Sequence, residues 1–241
     1  MVSNGSFSAR LVSHALPVGS CTALSIISGT VPNPFNTRYT RRDADLPSTN
    51  QNPHETTVGL FYTWENGDPL PKLAPLDGFV LVTADDLELL SQLSGLTPEE
   101  INERINDGHQ PYLALIHNEP AAWGWSAHER AEIGELGVSF ELPNGEHYLW
   151  DFVTLTDWRG HGIYPHMLQG IIREESVEAQ RFWIGHDLDN VASARGIEKA
   201  GLPVIGEVWL LDGEPLFVGR GSREPAELAA RLLELPFEMA E

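Results

Sequence analysis

The sequence predicts an α/β chain of the α+β kind: a mixed, mostly antiparallel central sheet flanked by helices, with an N-terminal extension. Three observations predict it. Strand-like runs separated by turn residues follow one another through the middle of the chain. The order then changes to helix, strand, helix, which calls for helices packed on a mixed sheet. Two dipeptides, Asn144-Gly145 and Asp212-Gly213, stand between strand-like runs where hairpins turn.

The elements follow in order. Residues 1–76 are rich in Pro, Asn, Ser and Thr and read largely as loop, apart from residues 57–64, whose β-branched and aromatic side chains predict a strand. Residues 77–241 form the regular domain. Residues 79–83 read as a strand, and residues 85–93 as a helix with Leu87, Leu90 and Leu93 spaced by three. Thr97-Pro98-Glu99-Glu100 is a helix start, with Thr97 as N-cap, Pro98 in the first turn and Glu100 closing a capping box. Residues 111–117 and 121–126 read as strands around a turn at 118–120. Residues 134–142 and 147–155 read as a second pair joined through Pro143-Asn144-Gly145-Glu146, making this part an antiparallel meander. Ile163, Met167 and Ile171, spaced by four, mark a helix to about residue 178. A short strand at 181–185, a helix at 189–200 stopped by Gly201, strands at 204–211 and 214–218, and a helix at 227–233 complete the chain.

Bulk properties narrow the function. The chain has 241 residues, with 35 acidic against 15 basic side chains and a formal net charge of −20. Phosphate binding over a surface needs concentrated positive charge, so nucleic acid and anionic membrane are not expected partners. The excess favours a cationic acceptor such as an amine, although solubility is the simpler account of it. Cys21 is the only cysteine, so no internal disulfide or thiolate metal cluster is available, and a reducing cytoplasm suits the chain. No apolar run is of bilayer length. Residues 11–29 are mildly apolar but interrupted by His14 and Pro17, and read as strand and loop rather than as a signal. Arg38, Arg41 and Arg42 are explained by a solvated loop more simply than by an anion clamp.

Residues 150–165 carry the chemistry. A strand ends, a glycine turn follows, and an amphipathic helix begins. The first amides of a helix lack intrahelical partners and the dipole is positive there, so a diphosphate is a fitting ligand. Gly160 and Gly162 allow close approach, and Arg159 adds charge at the mouth. Pro165 stands where a Rossmann fingerprint needs its third glycine, and the Gly-Lys-Ser/Thr of a Walker A loop is missing. From the segment alone, a plain turn stays open.

Arg159-Gly160-His161-Gly162-Ile163-Tyr164 resembles the acetyl-CoA signature of the GCN5-related N-acetyltransferases (GNAT), Arg/Gln-x-x-Gly-x-Gly/Ala. Asn190-x-x-Ser193, followed by Ile197-Glu198-Lys199-Ala200-Gly201-Leu202, is similar to that family's Asn-containing helix and its Lys-x-Gly-Phe ending. The resemblance covers about residues 78–220. It implies a GNAT-like fold and transfer of acetyl from acetyl-CoA to an amine of a small molecule or protein by direct attack on the thioester. Two strands ending near Thr154 and Gly185 would splay, with the pantetheine arm in the gap against the backbone of Phe152, Val153 and Thr154. The backbone of Gly160, His161, Gly162, Ile163, Tyr164 and Pro165, with Arg159, would hold the pyrophosphate. Asn190 and Ser193 would meet the cofactor arm. Two departures stand out. Tyr164 replaces a small residue, and Ile197 stands where many members place the Tyr that protonates the CoA thiolate. Ile197 keeps open a second reading, an inactive acyl-CoA-binding or regulatory protein.

Two residues are candidates for proton chemistry. His186 lies at a strand end, and imidazole suits a base. Asp151, flanked by Trp150 and Phe152, is either a buried base with a raised pKa or a solvent-facing residue on the alternate face. Glu141 is a weaker candidate. His161 and His166 are five apart, not the i, i+4 pair of a helical metal site, and His147 is distant, so no metal is expected. Trp123, Trp125, Trp150, Trp158 and Trp183 read as core or cleft wall. The expected partners are acetyl-CoA and an amine acceptor, and a homodimer is compatible with the sequence.

Overall fold

The computed structural model describes residues 55–134 and 136–240. The readings on Cys21, on residues 11–29 and on Arg38, Arg41 and Arg42 lie outside them. In chain order the elements are β1 (Glu55–Glu65), β2 (Phe79–Thr83), α1 (Leu87–Ser94), α2 (Pro98–Asn106), β3 (His109–Ile116), β4 (Glu119–Ala127), β5 (Arg130–Ile133) and β6 (Val138–Glu141). They continue with β7 (Glu146–Thr154), α3 (Ile163–Glu175), β8 (Arg181–Asp187), α4 (Val191–Ala200), β9 (Val204–Leu211), β10 (Glu214–Gly219), α5 (Arg223–Leu232) and β11 (Phe237–Met239). The main sheet has the order β11-β10-β9-β1-β8-β7-β4-β3-β2, and β5 and β6 form a separate hairpin. Within the main sheet β7/β8 and β10/β11 are parallel and the other pairs antiparallel. The fold class is therefore the expected one, a mixed, mostly antiparallel sheet flanked by helices. Among the described residues no helix is long and apolar enough to cross a membrane.

Local chemistry sets the helix ends. Thr97 accepts from the Glu100 amide at 3.2 Å while the Glu100 carboxylate takes the Thr97 amide at 2.8 Å, the reciprocal box the sequence predicts for α2. Asn190 caps α4 by accepting from the Ser193 amide at 3.0 Å, and Gly201 ends it in the left-handed region at φ 101°. Strand alternation then divides the core. Leu60, Tyr62 and Trp64 of β1 and Tyr112, Ala114 and Ile116 of β3 face α3 and α4. Leu113, Trp123 and Trp125 face α1 and α2, and Phe61, Val208 and Phe217 face α5.

Expectation holds for one strand and fails for one pair. The strand read at 57–64 is β1, and it lies between β8 and β9, antiparallel to both. The sheet therefore draws on residues from both sides of position 76. The pair read at 134–142 and 147–155 does not form. Residues 134, 136 and 137 turn, β6 pairs with β5, and the Asn144-Gly145 turn delivers β7 into the main sheet instead. The reason is edge occupancy: β4 takes one edge of β7 and β8 the other, while the Gly145 carbonyl accepts from Gln180 at 2.6 Å and Arg181 at 3.1 Å. No edge of β7 beside that turn is left for β6. The four-residue β5 and three-residue β11 are too short for periodicity to mark.

The C-terminal end of α3 is tied to the sheet by one carboxylate. Glu175 is buried and accepts from Tyr112 (2.9 Å), Ser126 (2.7 Å), His128 (3.0 Å) and His147 (2.8 Å). The donor atoms of His128, His147 and Glu175 lie within 4.8 Å of one another, a set that could share a cation. In this structure the two imidazoles stack at 4.0 Å with 22° between planes, and each bonds one oxygen of the carboxylate. Burial alone would raise the Glu175 pKa, but the bonds from His128, His147 and Ser126 hold it down at about 2. Its folded pKa lies below the ordinary 4.5, so its stabilisation is complete above about pH 4.5 and is lost as pH falls toward 2. Glu175→Gln is expected to cost about 3–5 kcal/mol, the scale for stripping one partner from a buried charged network. Urea unfolding at pH 7 and at pH 3 checks this: the parent and variant should differ widely at the first pH and less at the second.

Candidate functional site

The site begins with a mismatch in register. Trp123 of β4 faces Val153 of β7, and Trp125 faces Trp150, so two steps on β4 oppose three on β7. The extra residue makes a β-bulge at Asp151, whose φ of 50° is unusual for a non-glycine. Bent there, β7 leaves its parallel neighbour. The β7/β8 ladder covers only Glu146–Leu149 against Arg181–Ile184. Beyond it β7 stays with β4 to Thr154 and β8 stays with β1 to Asp187, so the facing edges of residues 150–154 and 185–187 carry no ladder among the described residues. The backbone of Phe152, Val153 and Thr154 thus borders an open gap, as the resemblance implies.

The gap leads to the glycine turn. A single 3-10 turn, Thr156–Trp158, follows β7, and α3 starts at Ile163 with Gly162 as N-cap at φ 79° and no side-chain cap. Gly160 has φ 80°, a second left-handed position that glycine alone adopts without strain. No carbonyl or side chain among the described residues accepts from the amides of residues 160–164. These donors sit at the positive end of α3. Arg159 donates from Nε to the Thr154 carbonyl at 3.1 Å, joining the turn to the end of β7. His166 bridges the Gly162 carbonyl (2.8 Å) and the Ala74 carbonyl (2.9 Å), and His161 bonds the Arg159 carbonyl at 3.1 Å. Lys199, exposed on α4, brings its ammonium to 3.6 Å from where a Cβ on Gly162 would lie.

The departure at Tyr164 is answered by a glycine on the facing helix. The half-buried Tyr164 ring occupies the space a Cβ on Gly196 of α4 would need, and its hydroxyl meets Ser193 Oγ at 3.3 Å. On the other side it meets the Phe152 ring at 5.4 Å, which itself fills the space above Gly124 of β4. Phe152, Tyr164 and Ser193 are thus gathered on the α3–α4 face, with Asn190 as the α4 cap beside them, and Pro165 is buried in the first turn of α3. Val153 packs on the opposite face, toward α1 and α2.

The two residues considered for proton chemistry sit on opposite faces. Asp151 points toward α2, where Arg104 holds its Oδ2 at 2.6 Å. Arg104 in turn lies over the Trp150 ring at 4.4 Å and the Trp125 ring at 5.1 Å. Asp151 is therefore a buried carboxylate, not a solvent-facing one. Burial raises its pKa and the Arg104 bond and charge oppose this. Its Oδ1 is buried without a partner among the described residues. His186 stands on the open part of β8, with Nε2 at 3.0 Å from the Tyr62 hydroxyl and Nδ1 at 2.7 Å from the Asp187 carbonyl. Glu141 lies in the β5–β6 hairpin opposite Arg130. Sequence reading missed Arg104, Tyr62 and the approach of Lys199 to the turn. Only the alternation of β1, which puts Tyr62 on the same face as Leu60 and Trp64, signalled any of them.

No family model matches the chain, and no curated protein matches it. Solved structures do match. A GNAT-family acetyltransferase from Colwellia psychrerythraea is 16% identical, over 64% of this chain and 55% of that one, with a TM-score of 0.46. A GCN5-related N-acetyltransferase from Sphaerobacter thermophilus is 15% identical, over 62% and 50%, at 0.43. The ribosomal-protein-S18-alanine N-acetyltransferase of Escherichia coli is 12% identical, over 51% and 76%, at 0.40. The chain thus spans about half the length of the first two.

The packing of Tyr164 against Gly196 can be tested as a pair. Gly196→Ala is expected to destabilise by about 1–3 kcal/mol through overpacking, despite alanine's better helix propensity. In a Tyr164→Ala background the same change should cost nothing or stabilise, a coupling that a double-mutant cycle of unfolding free energies reads directly.

Proposed function

We propose that the protein is an acetyltransferase that moves the acetyl group of acetyl-CoA to an amine by direct attack on the thioester. The observation that carries this reading is the run of unaccepted amides at residues 160–164, at the positive end of α3 and at the far end of the open β7 edge. A diphosphate on those amides, between Arg159 and Lys199, would leave the pantetheine arm lying along Phe152, Val153 and Thr154, whose free backbone groups suit its amides. Asn190 and Ser193 would border the arm from α4. The thioester would then reach the root of the split, where a backbone amide of β7 polarises its carbonyl. The acceptor would come from the α1–α2 face. There the unpartnered Oδ1 of Asp151 is assigned to the acceptor nitrogen's proton, with burial raising its pKa against the opposing Arg104 bond and charge.

In this reading residues 77–241 are the transferase domain and residues 1–76 an extension that lends it β1. The net charge of −20 favours cationic amines as acceptors, and a cytoplasmic setting suits the single cysteine. A second reading, acyl-CoA binding without turnover, is favoured by Ile197, which is buried in the core and has no proton to give.

Thermal unfolding with acetyl-CoA tests the binding site. At a hundredfold excess over Kd the parent is expected to gain about 2.7 kcal/mol. Gly162→Trp should lose that gain, and Lys199→Ala should weaken affinity about tenfold, the scale of one charge-assisted contact. Absence of any shift in the parent would falsify the assignment. Turnover is followed as free CoA thiol released with a panel of amines. Asp151→Asn should keep the thermal gain and lose about 10²–10⁴ in kcat. A strong thermal gain with no thiol release from any amine would select the second reading.

A further inference from the structure

The network around Glu175 lies at the opposite end of α3 from the glycine turn and has no part in the acetyltransferase reading. We propose that His128, His147 and Glu175 bind one divalent transition-metal ion of the zinc type, which clamps the C-terminal end of α3 to β4 and β7.

The fold builds this ligand set from three elements that are separate in sequence. β7 supplies His147, α3 ends on Glu175, and His128 follows the last residue of β4. His128 Nε2 lies 3.0 Å from Glu175 Oε1, His147 Nδ1 lies 2.8 Å from Oε2, and the three groups bring their ligand atoms within 4.8 Å of one another. Two further observations point to a cation. The Glu175 side chain is only 7% exposed, yet its four donors, Tyr112, Ser126, His128 and His147, include no lysine or arginine. A buried carboxylate needs a counter-charge, and among these partners that is an imidazole proton or a bound ion. The hydroxyls are also divided between the oxygens, Tyr112 donating to Oε1 and Ser126 to Oε2. They keep the carboxylate oriented when the imidazole bonds are exchanged for an ion, as the outer partners of metal-binding carboxylates do.

A neutral imidazole carries its proton on either nitrogen. With the proton on Nδ1 of His128 and Nε2 of His147, the nitrogens facing Glu175 present lone pairs, and the ion takes the place of two hydrogens. Zinc sits about 2.0–2.1 Å from nitrogen and about 2.0–2.2 Å from a carboxylate oxygen, in tetrahedral geometry. Rings stacked with 22° between planes must part to meet it. His128 is the ring that turns. It lies beyond the end of β4 with its side chain 35% exposed, whereas His147 is buried and packs edge-on against Phe182. The same exposure gives the ion a way in and leaves the fourth position to water. Two nitrogens and one carboxylate suit zinc, cobalt or nickel, whereas magnesium and calcium take oxygen ligands.

Zinc chloride added to the untagged, chelator-stripped full chain tests the site, with affinity read by calorimetry and stability by thermal unfolding. One ion per chain is expected, with a rise in unfolding temperature that magnesium chloride does not reproduce. Cobalt(II) in its place should show the visible bands of a tetrahedral ion. His128→Gln keeps a donor for Glu175 and should abolish the zinc-dependent rise. His117→Gln, a change at an exposed histidine beside Asp77, should retain it. Ser126→Ala keeps all three ligands and should weaken zinc binding about 10–100-fold, the scale for removing a group that orients a ligand. No saturable zinc binding by the parent, or a rise that survives in His128→Gln, overturns the site and leaves Glu175 as a hydrogen-bonded anchor alone.

Discussion

The ladder between β7 and β8 stops because β7 takes one residue more than β4 can match at Asp151, and a strand bent there cannot follow its parallel neighbour. Holding a non-glycine at φ 50° is costly, and such a residue persists only where its surroundings over-determine it. Here they do. Arg104 grips the carboxylate from α2, and its guanidinium lies over the Trp125 and Trp150 rings. The open edge that receives a pantetheine arm in our reading is thus the product of a strained position and the ion pair that maintains it, on the face away from that edge.

Position matters as much for α3. Its amides are useful only if the helix points at the gap, and both of its ends are fixed. The Glu175 carboxylate fastens the C-terminal end to β3, β4 and β7. Arg159 and His166 fasten the N-terminal turn to the end of β7 and to the loop at Ala74. A rigid helix with a free N-terminus is a pre-oriented donor array, which costs little further ordering when an anion arrives.

What was legible in the sequence was local. The Thr97–Glu100 box, the Gly201 stop and the glycine turn at 160–162 each depend on residues within a few positions of one another, and each is where the chain predicts it. The strand end, turn and helix start around residues 154–163 were legible for the same reason, since they are consecutive. What failed was decided between distant residues. The β6 strand pairs with β5 because both edges of β7 beside the Asn144-Gly145 turn are already taken, which no dipeptide records. The Arg104–Asp151 pair spans 47 positions and the Tyr62–His186 pair 124, and neither leaves a periodic trace. The place of β1 in the middle of the sheet was hidden likewise, because a two-sided apolar run such as Val58 to Trp64 announces burial without naming its neighbours.

That place of β1 has a consequence for how the chain is made. Its ladder partners on β8 lie 116 to 128 residues further along. At about 5–20 residues per second a ribosome leaves this strand waiting roughly 6–25 seconds with both hydrogen-bonding edges bare. The stretch Leu60-Phe61-Tyr62-Thr63-Trp64 is apolar, β-prone and uncharged, the composition that pairs with stray strands. Nascent chains of this protein are therefore most vulnerable to aggregation after β1 has emerged and before β8 and β9 follow, and a holdase that binds short aromatic segments has its natural target there.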